Sequence, residues 1–373
     1  MTYEIAQRQE KARNFMRRNS YSGLVMATPQ NIQYFTDVTE PSMQTCGVVI
    51  ITEKPEAVFA VLWVDKDTAI EQAKGVSIKT YTPTSQGKVI LRILEQLGGT
   101  EGPVAMDITA TTELGGSFKR NLPKVEVINA TYAIEEQIRS VKSETEIEFI
   151  RKACEIADAG MKTAAEALKP GMTELEVASL AQHRMVTLGS DAIKHTIYVA
   201  SGPRARLLHG SATQKKISAG EIVSIDLGAV IHGYTSDLAR TFFIGKPPEQ
   251  LQKAFETLRD AQDIILEKLC PGMTINEIQA IPQEFTKTAG FPMVGPLVGH
   301  NVGLAVEEHP FLMRNGGSNP EVKIEKNNIL AVFQGSVKHG KVLSLGIRLE
   351  DTILVTEAGA KMLTTYPREL LSV

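Results

Sequence analysis

Hydrophobic and polar positions alternate in two rhythms along the first 130 residues. Residues 4–19 carry Ile5, Ala12, Phe15 and Met16 among charged neighbours, a spacing that predicts an amphipathic helix. A short apolar run then covers residues 23–27 and stops at Thr28-Pro29, which predicts a strand. The runs 47–52 and 57–64 predict two more strands, the second rich in β-branched and aromatic residues. Residues 86–98 place Val89, Ile90, Ile93, Leu94 and Leu97 on one helical face and close on Gly98-Gly99. Residues 104–107 and 125–128 are short strand candidates. Strands alternating with helices predict an α/β unit built on a parallel or mixed sheet.

The pattern changes near residue 134. Ser143 and Glu146 form a capping-box signature, and Ile147, Ile150, Cys154, Ala157 and Met161 follow at helical spacing. That helix is expected to end at Lys169-Pro170-Gly171. The domain boundary is placed in the stretch 132–142, giving domains 1–132 and 133–373. The second domain contains an echo: ALKPGMTELEV at 167–177 and KLCPGMTINEI at 268–278 are offset by 101 residues. In each, a threonine N-cap is followed three residues later by glutamate (Thr173/Glu176 and Thr274/Glu277). One reading is a common helix-stop and helix-start device used twice. The other is a duplicated α+β half, which would place a ligand site at the seam with residues from both halves.

Composition narrows the classes without naming a function. The chain has 373 residues, enough for two domains, with 43% hydrophobic and 22% charged residues. Forty basic against 43 acidic residues give a net charge of −3, and no Lys/Arg run exceeds a pair. Nucleic acid is therefore not the expected partner, because phosphate binding needs a basic stripe. No run reaches the roughly 18 apolar residues of a membrane span, and the charged amino-terminal stretch lacks the apolar core of a secretory signal. Cys46, Cys154 and Cys270 lie far apart without a CxxC pair, so neither a disulfide framework nor a cysteine zinc site is expected. A reducing cytoplasm is the default location.

The candidate chemistry lies in four polar positions that interrupt apolar strand runs: Asp226, Asp237, Gln334 and Glu350. A carboxylate buried alone in a sheet costs several kcal/mol, so each must be paired, protonated or metal-bound. Arg240 and Arg348 are near enough in sequence to supply positive charge, and a metal would supply more. His300, between Gly299 and Gly303 in Gly299-His-Asn-Val-Gly303, is the candidate nitrogen ligand, its glycines allowing close backbone approach. Taken singly, each residue has a plain structural explanation: a turn aspartate, a packed histidine, an ion pair of Glu350 with Arg348. Their joint spacing is the informative feature.

That spacing resembles the pita-bread metallopeptidase family, which includes Xaa-Pro dipeptidase (prolidase), Xaa-Pro aminopeptidase, methionine aminopeptidase and the amidinohydrolase creatinase. The match rests on Ile138–Ile147, on Val199-Ala-Ser-Gly-Pro-Arg204 with Leu208-His209-Gly210, on Asp226 and Asp237, on the His300 segment, and on Gly346-Ile-Arg-Leu-Glu350-Asp. Residues Asn31–Thr36 resemble part of the creatinase-type amino-terminal domain. The resemblance implies an α+β pita-bread catalytic domain with internal duplication, preceded by an α/β creatinase-type domain. It implies that Asp226 chelates one divalent metal, that Asp237 and Glu350 bridge two, and that His300 holds the second, with water activated between them. His209 would contact the substrate or a tetrahedral intermediate. Mn, Co, Fe and Zn all suit carboxylates plus one imidazole. A homodimer is also implied, with residues 34–45 a candidate contact.

Two positions depart from the family pattern. Family peptidases carry Glu followed by Pro where this chain has Gln334-Gly335. A neutral amide is a weaker ligand and takes no proton at neutral pH, so the second metal is expected to bind more weakly. The family's His-Glu pair after the metal histidine is Glu307-Glu308 here, followed by His309. Either His309 substitutes, or Glu307 stands in the substrate pocket and favours a cationic or hydrogen-bond-donating substrate. With Arg348, His209 and Glu307 completing the substrate-binding set, the expected activity is metal-dependent hydrolysis of a dipeptide or related small amide. The alternatives are a repurposed C–N hydrolase or lyase using one metal or none, and a non-catalytic binding relative.

Overall fold

The structure, a computed structural model, describes residues 2–191, 196–293, 295, 297–313, 321–335 and 346–373, with the backbone alone at residues 2 and 333–335. The chain separates into two compact units, Met1–Arg139 and Ser140–Val373. Residues 133–139 lie with the first unit: the Arg139 guanidinium donates to Asn31 Oδ1 at 2.7 Å, and the carbonyl of Ile138 accepts from the Tyr34 hydroxyl.

The first unit is a six-stranded mixed sheet covered by helices. Its strands are β1 (Gly23–Met26), β2 (Val48–Thr52), β3 (Val58–Leu62), β4 (Ser77–Tyr81), β5 (Val104–Met106) and β6 (Val127–Asn129), in the order β4-β3-β2-β1-β5-β6. β1 runs antiparallel to β2 and parallel to β5. The helices Thr2–Asn19 and Gln86–Gln96 fall where the periodicity placed them. β4 escaped the pattern because it is a half-exposed edge strand, Ser-Ile-Lys-Thr-Tyr, with only Tyr81 fully buried. The helix Ile108–Asn121 escaped it because Gly115-Gly116 and three threonines lower its propensity. It forms because Asp107 caps the Ala110 amide at 2.9 Å and because Leu114 and Phe118 are buried in the core. Tyr34, the first residue of the segment expected to meet a second copy, is fully buried within this unit beneath the Arg8 guanidinium, 4.5 Å from its ring centre. Its ring therefore cannot be part of such a contact.

The second unit is organised on one nine-stranded sheet. β7 (Tyr198–Ser201), β8 (Ile222–Leu227), β11 (Leu238–Phe243), β12 (Leu297–Asn301), β13 (Glu308–Met313), β14 (Ile329–Gly335) and β15 (Arg348–Thr356) run in the order β13-β12-β14-β15-β11-β8-β7. β16 (Gly359–Met362) joins β15, and β17 (Leu371–Ser372) joins β11. A separate hairpin, β9 (Val230–Ile231) and β10 (Tyr234–Thr235), links β8 to β11. One face of the sheet packs on helices. Val223, Ile225, Leu238 and Phe242 share a core with Ala157 and Met161 of the helix Glu144–Ala167 and with Val177 of Glu174–Thr187. Leu330, Val332 and Ile353 share another with Ile265 of Glu249–Lys268 and Ile275 of Ile275–Thr288.

The two sequence echoes are structural equivalents. Gly171 and Gly272 have φ of +94° and +97°, a region that glycine enters at low cost. Their amides donate to Ile217 O and Ile324 O at 2.9 and 2.8 Å, and Ile217 and Ile324 donate back to Met172 O and Met273 O, both at 2.8 Å. Thr173 and Thr274 each cap a helix in a complete capping box. The duplicated-half reading thus describes the observed architecture.

Strand alternation sends Arg240 of β11 to the helical side, away from the carboxylates it was expected to neutralise. There it is 1% exposed and pairs with the fully buried Asp351 at 2.7 Å. It also donates to the carbonyls of Ala239, Glu350, Tyr366 and Pro367, tying β11, β15 and the carboxy-terminal segment together. Removing one partner of a buried ion pair leaves an uncompensated charge. We expect Arg240→Met to lower unfolding free energy by about 3 kcal/mol and Arg240→Met with Asp351→Leu to recover most of it, read by urea denaturation of metal-free protein. A single variant as stable as the wild type would remove this pair from the account.

Candidate active site

The face of the second sheet opposite its helices is where the polar positions gather. Register explains how. In β11, Ala239 stands beside Asp226 of β8 on one side and Glu350 of β15 on the other. Asp226 in turn stands opposite Tyr198 of β7. Residues directly opposite one another share a face, so Asp226 and Glu350 point the same way. Asp237 precedes Ala239 by two residues; it lies just before β11 rather than inside a strand, and Thr352 holds it there. The Thr352 hydroxyl accepts from the Asp237 amide at 2.9 Å and donates to its carbonyl at 2.7 Å.

His300 arrives on a different strand. It pairs with Ala331 of β14, and the pairing of β12 with β13 is irregular on both sides of it. The neighbouring Gly299 is indispensable, because a Cβ there would lie 2.3 Å from Ala331 O. His300 Nε2 stands 3.5 Å from Asp237 Oδ2 and 3.6 Å from Glu350 Oε1. These three buried residues offer ligand atoms within 4.8 Å of one another, a nitrogen and two oxygens suited to one divalent cation.

Asp226 stands apart from that trio. Its Oδ2 is 3.3 Å from Arg348 Nη1, and Arg348 also donates through Nη2 to the carbonyl of Leu207. Both Arg348 and Asp226 are buried. All of these groups line one cavity of about 520 Å³. His209 and Glu307 line it as well, both in exposed positions, and His209 stacks loosely on Tyr198 with ring centres 5.4 Å apart. His309, the alternative to Glu307, is buried beneath Phe311 with ring centres 4.6 Å apart and is not among the cavity-lining residues. Glu308 pairs with the buried Lys142 at 3.5 Å. Gln334 pairs through its backbone with Leu349; its side chain lies outside the described residues.

The sequence singled out neither Thr352 nor Tyr198. Both occupy ordinary strand positions, and only cross-strand register reveals that one fixes Asp237 and the other adjoins Asp226 and His209. The carbonyl of Leu207 carried no signal at all, since any residue has one.

Crowding of buried acids shapes the electrostatics. Burial, reinforced by Glu350, raises the Asp226 carboxyl from its ordinary value near 3.8 to about 7, although Arg348 and His300 oppose the shift. Asp237 is raised well above its ordinary value by burial and by the charges of Glu350 and Asp226. For His300, burial alone would favour the neutral ring, but its hydrogen bond to Glu350 and the nearby acids outweigh burial and raise it. Burial lowers Arg348, a shift that Asp226 and Glu350 resist.

A group whose pKa is raised on folding stabilises the fold fully below its unfolded value and loses that contribution as pH climbs through the folded value. For Asp226 the window is about pH 4 to 7, and Asp237 and His300 act in the same sense. With a chelator present, the thermal midpoint of the wild type is expected to fall across that window relative to Asp226→Asn. Saturating divalent cation should flatten the decline, because bound cation replaces the proton as the compensating charge. A flat or rising profile in the chelated protein would contradict this picture.

The chain matches the model of metallopeptidase family M24 over residues 148–357 and that of the creatinase/prolidase N-terminal domain over residues 8–141. It is 32% identical to the Xaa-Pro dipeptidase of Pyrococcus furiosus over 98% of this chain and 100% of that protein. Among solved structures, the Xaa-Pro dipeptidase from Bacillus anthracis superimposes with a TM-score of 0.86 at 26% identity, covering 100% of both chains. The prolidase from Pyrococcus furiosus superimposes with a TM-score of 0.81 at 30% identity, covering 95% of this chain and 99% of that one. A two-unit chain with an internally duplicated second unit, matched end to end by such relatives, belongs to metallopeptidase family M24 and is a hydrolase of the creatinase/prolidase group.

Proposed function

We propose that this protein is a metal-dependent dipeptidase of the Xaa-Pro type, acting on a dipeptide or a closely related small amide. The observation that carries the reading is the buried Asp237–His300–Glu350 trio inside a cavity of about 520 Å³, in a chain similar throughout to Xaa-Pro dipeptidases. These three residues would hold one divalent cation, with Mn, Co, Fe and Zn all compatible with one imidazole and two carboxylates. This is the second cation of the resemblance, with Gln334 as its weaker neutral ligand; Asp226 would serve the first, with Asp237 and Glu350 shared between the two. When bound, such cations polarise a carbonyl and acidify water.

The chain's own groups do the rest. His209, exposed at the cavity, donates a hydrogen bond to the substrate carbonyl. Glu350 accepts and returns a proton at the reacting face. Arg348, anchored on Asp226 and Leu207, orients the substrate from the cavity lining. Glu307 adds a fourth carboxylate to the lining and attracts a cationic or hydrogen-bond-donating part of the substrate, such as a free amino group.

A second reading, a C–N hydrolase or lyase working with one cation or none, draws support from the Asp226–Arg348 pair. At 3.3 Å, that arginine already supplies Asp226 with a compensating charge.

Metal analysis of purified protein, together with Xaa-Pro dipeptide turnover before and after adding Mn or Co, tests the proposal. Turnover that follows metal loading, and that His209→Ala removes at least about a hundredfold without changing the thermal midpoint, is the expected result. Loaded protein inert toward every Xaa-Pro dipeptide would sink it. Gln334→Glu should tighten second-metal binding about tenfold or more by titration calorimetry, since a carboxylate replaces an amide. Unchanged stoichiometry and affinity would show that residue 334 does not occupy a ligand position.

A further inference from the structure

The carboxylate of Glu174 is fully buried and lies outside the metal trio. It is the first residue of the helix Glu174–Thr187, but that helix is capped by its neighbours: Thr173 accepts from the Glu176 amide, and Glu176 accepts from the Thr173 amide. The duplicated half provides an internal control. There Thr274 and Glu277 form the same capping box, and Ile275, fully buried, occupies the place of Glu174. An apolar side chain at that position is thus sufficient for the helix to form and pack. A buried acid in the same place is a cost that must be offset.

Its hydrogen bonds show what it does. Glu174 Oε1 accepts from the amide and hydroxyl of Ser201, at 2.8 and 2.9 Å. Oε2 accepts from the amide and hydroxyl of Thr213, at 3.2 and 2.7 Å, and from Arg204 Nε at 3.2 Å. Ser201 ends β7, and Thr213 lies twelve residues further on, so one carboxylate ties both ends of the segment 201–213. Arg204 carries the tie inward by donating through Nη2 to Ser211 O at 2.7 Å. His209 sits within this closed segment, two residues before Ser211. The Leu207 carbonyl of the same segment is gripped by Arg348, which is paired to Asp226.

We propose that Glu174 is a positioning residue for His209: by closing the base of the segment 201–213, it sets where the imidazole stands in the cavity. The role in turnover rests on the reading that His209 contacts the substrate. The ordering of the segment does not.

Glu174→Ile, which installs the residue of the other half, and the isosteric Glu174→Gln test the proposal, each alone and combined with His209→Ala. Glu174→Ile is expected to keep its helical circular dichroism and its metal stoichiometry. Its amides at 202–212 should exchange at least about tenfold faster while those of the helix Glu144–Ala167 stay protected. Its kcat/KM on an Xaa-Pro dipeptide should fall about tenfold or more, and adding it to His209→Ala should cost nothing further, because the two act through one group. A folded variant with wild-type exchange at 202–212, or a loss that adds in full to that of His209→Ala, would overturn the assignment. If Glu174→Ile does not fold, the exchange of Glu174→Gln decides the matter in the same way. Wild-type protein inert toward the dipeptide would refute the dipeptidase reading while leaving the exchange comparison decisive for Glu174.

Discussion

Three buried carboxylates on one face of a sheet set the terms for the second unit. Asp226, Asp237 and Glu350 are all buried, and that burial, reinforced by their mutual repulsion, raises Asp226 and Asp237 above their ordinary range. Such a cluster is unstable unless protons, arginine or a cation compensate it. The surroundings look organised around that demand. Arg348 reaches Asp226, His300 is brought within 3.6 Å of Glu350 by an irregular strand pairing, and the hydroxyl of Thr352 pins the backbone of Asp237. A group M24 hydrolase thus invests fold stability in a site that becomes comfortable only when positive charge enters it.

Behind the sheet, the same problem has a different solution. Asp351 follows Glu350 directly, so alternation turns it to the helical face, where Arg240 and Thr364 donate to its Oδ1 and Arg368 Nε stands 3.6 Å from its Oδ2. One strand therefore carries two adjacent acids with opposite fates, one ion-paired on the helical side and one facing the cavity. The pairing of Arg240 with Asp351 and with four carbonyls keeps β11 and β15 in register. That register puts Glu350 and Asp226 on either side of Ala239.

The duplication shows how one scaffold was put to two uses. Both halves stop a helix with Pro-Gly-Met-Thr and restart it with a capping box, and both lock the turn with the same pair of backbone hydrogen bonds. They differ at the next position, buried glutamate against buried isoleucine. The half that carries the acid also carries a long segment bearing a histidine. The halves thus retain the same backbone punctuation while differing in the side chain that follows it.

Local signals in the chain were sufficient wherever a few neighbouring residues settle the outcome. Capping boxes, helix stops and glycines at positive φ depend on contacts within one turn, so 143–146, 173–176 and 274–277 were legible from the residue types alone. The spacing of Asp226, Asp237, His300 and Glu350 was legible as a family resemblance, and so were the departures at Gln334 and Glu307. Strand Ser77–Tyr81 and helix Ile108–Asn121 were not, because each is weak in isolation and forms only against a core supplied by distant segments. The same limit applied at the site. Which arginine serves which carboxylate, that Glu307 rather than His309 lines the cavity, and that Glu174 closes the His209 segment all depend on register between strands far apart in sequence. Register is a property of the assembled sheet, since a shift of one residue turns every side chain to the other face. The sequence alone determined which chemical groups were available, and only the tertiary structure decided which of them meet.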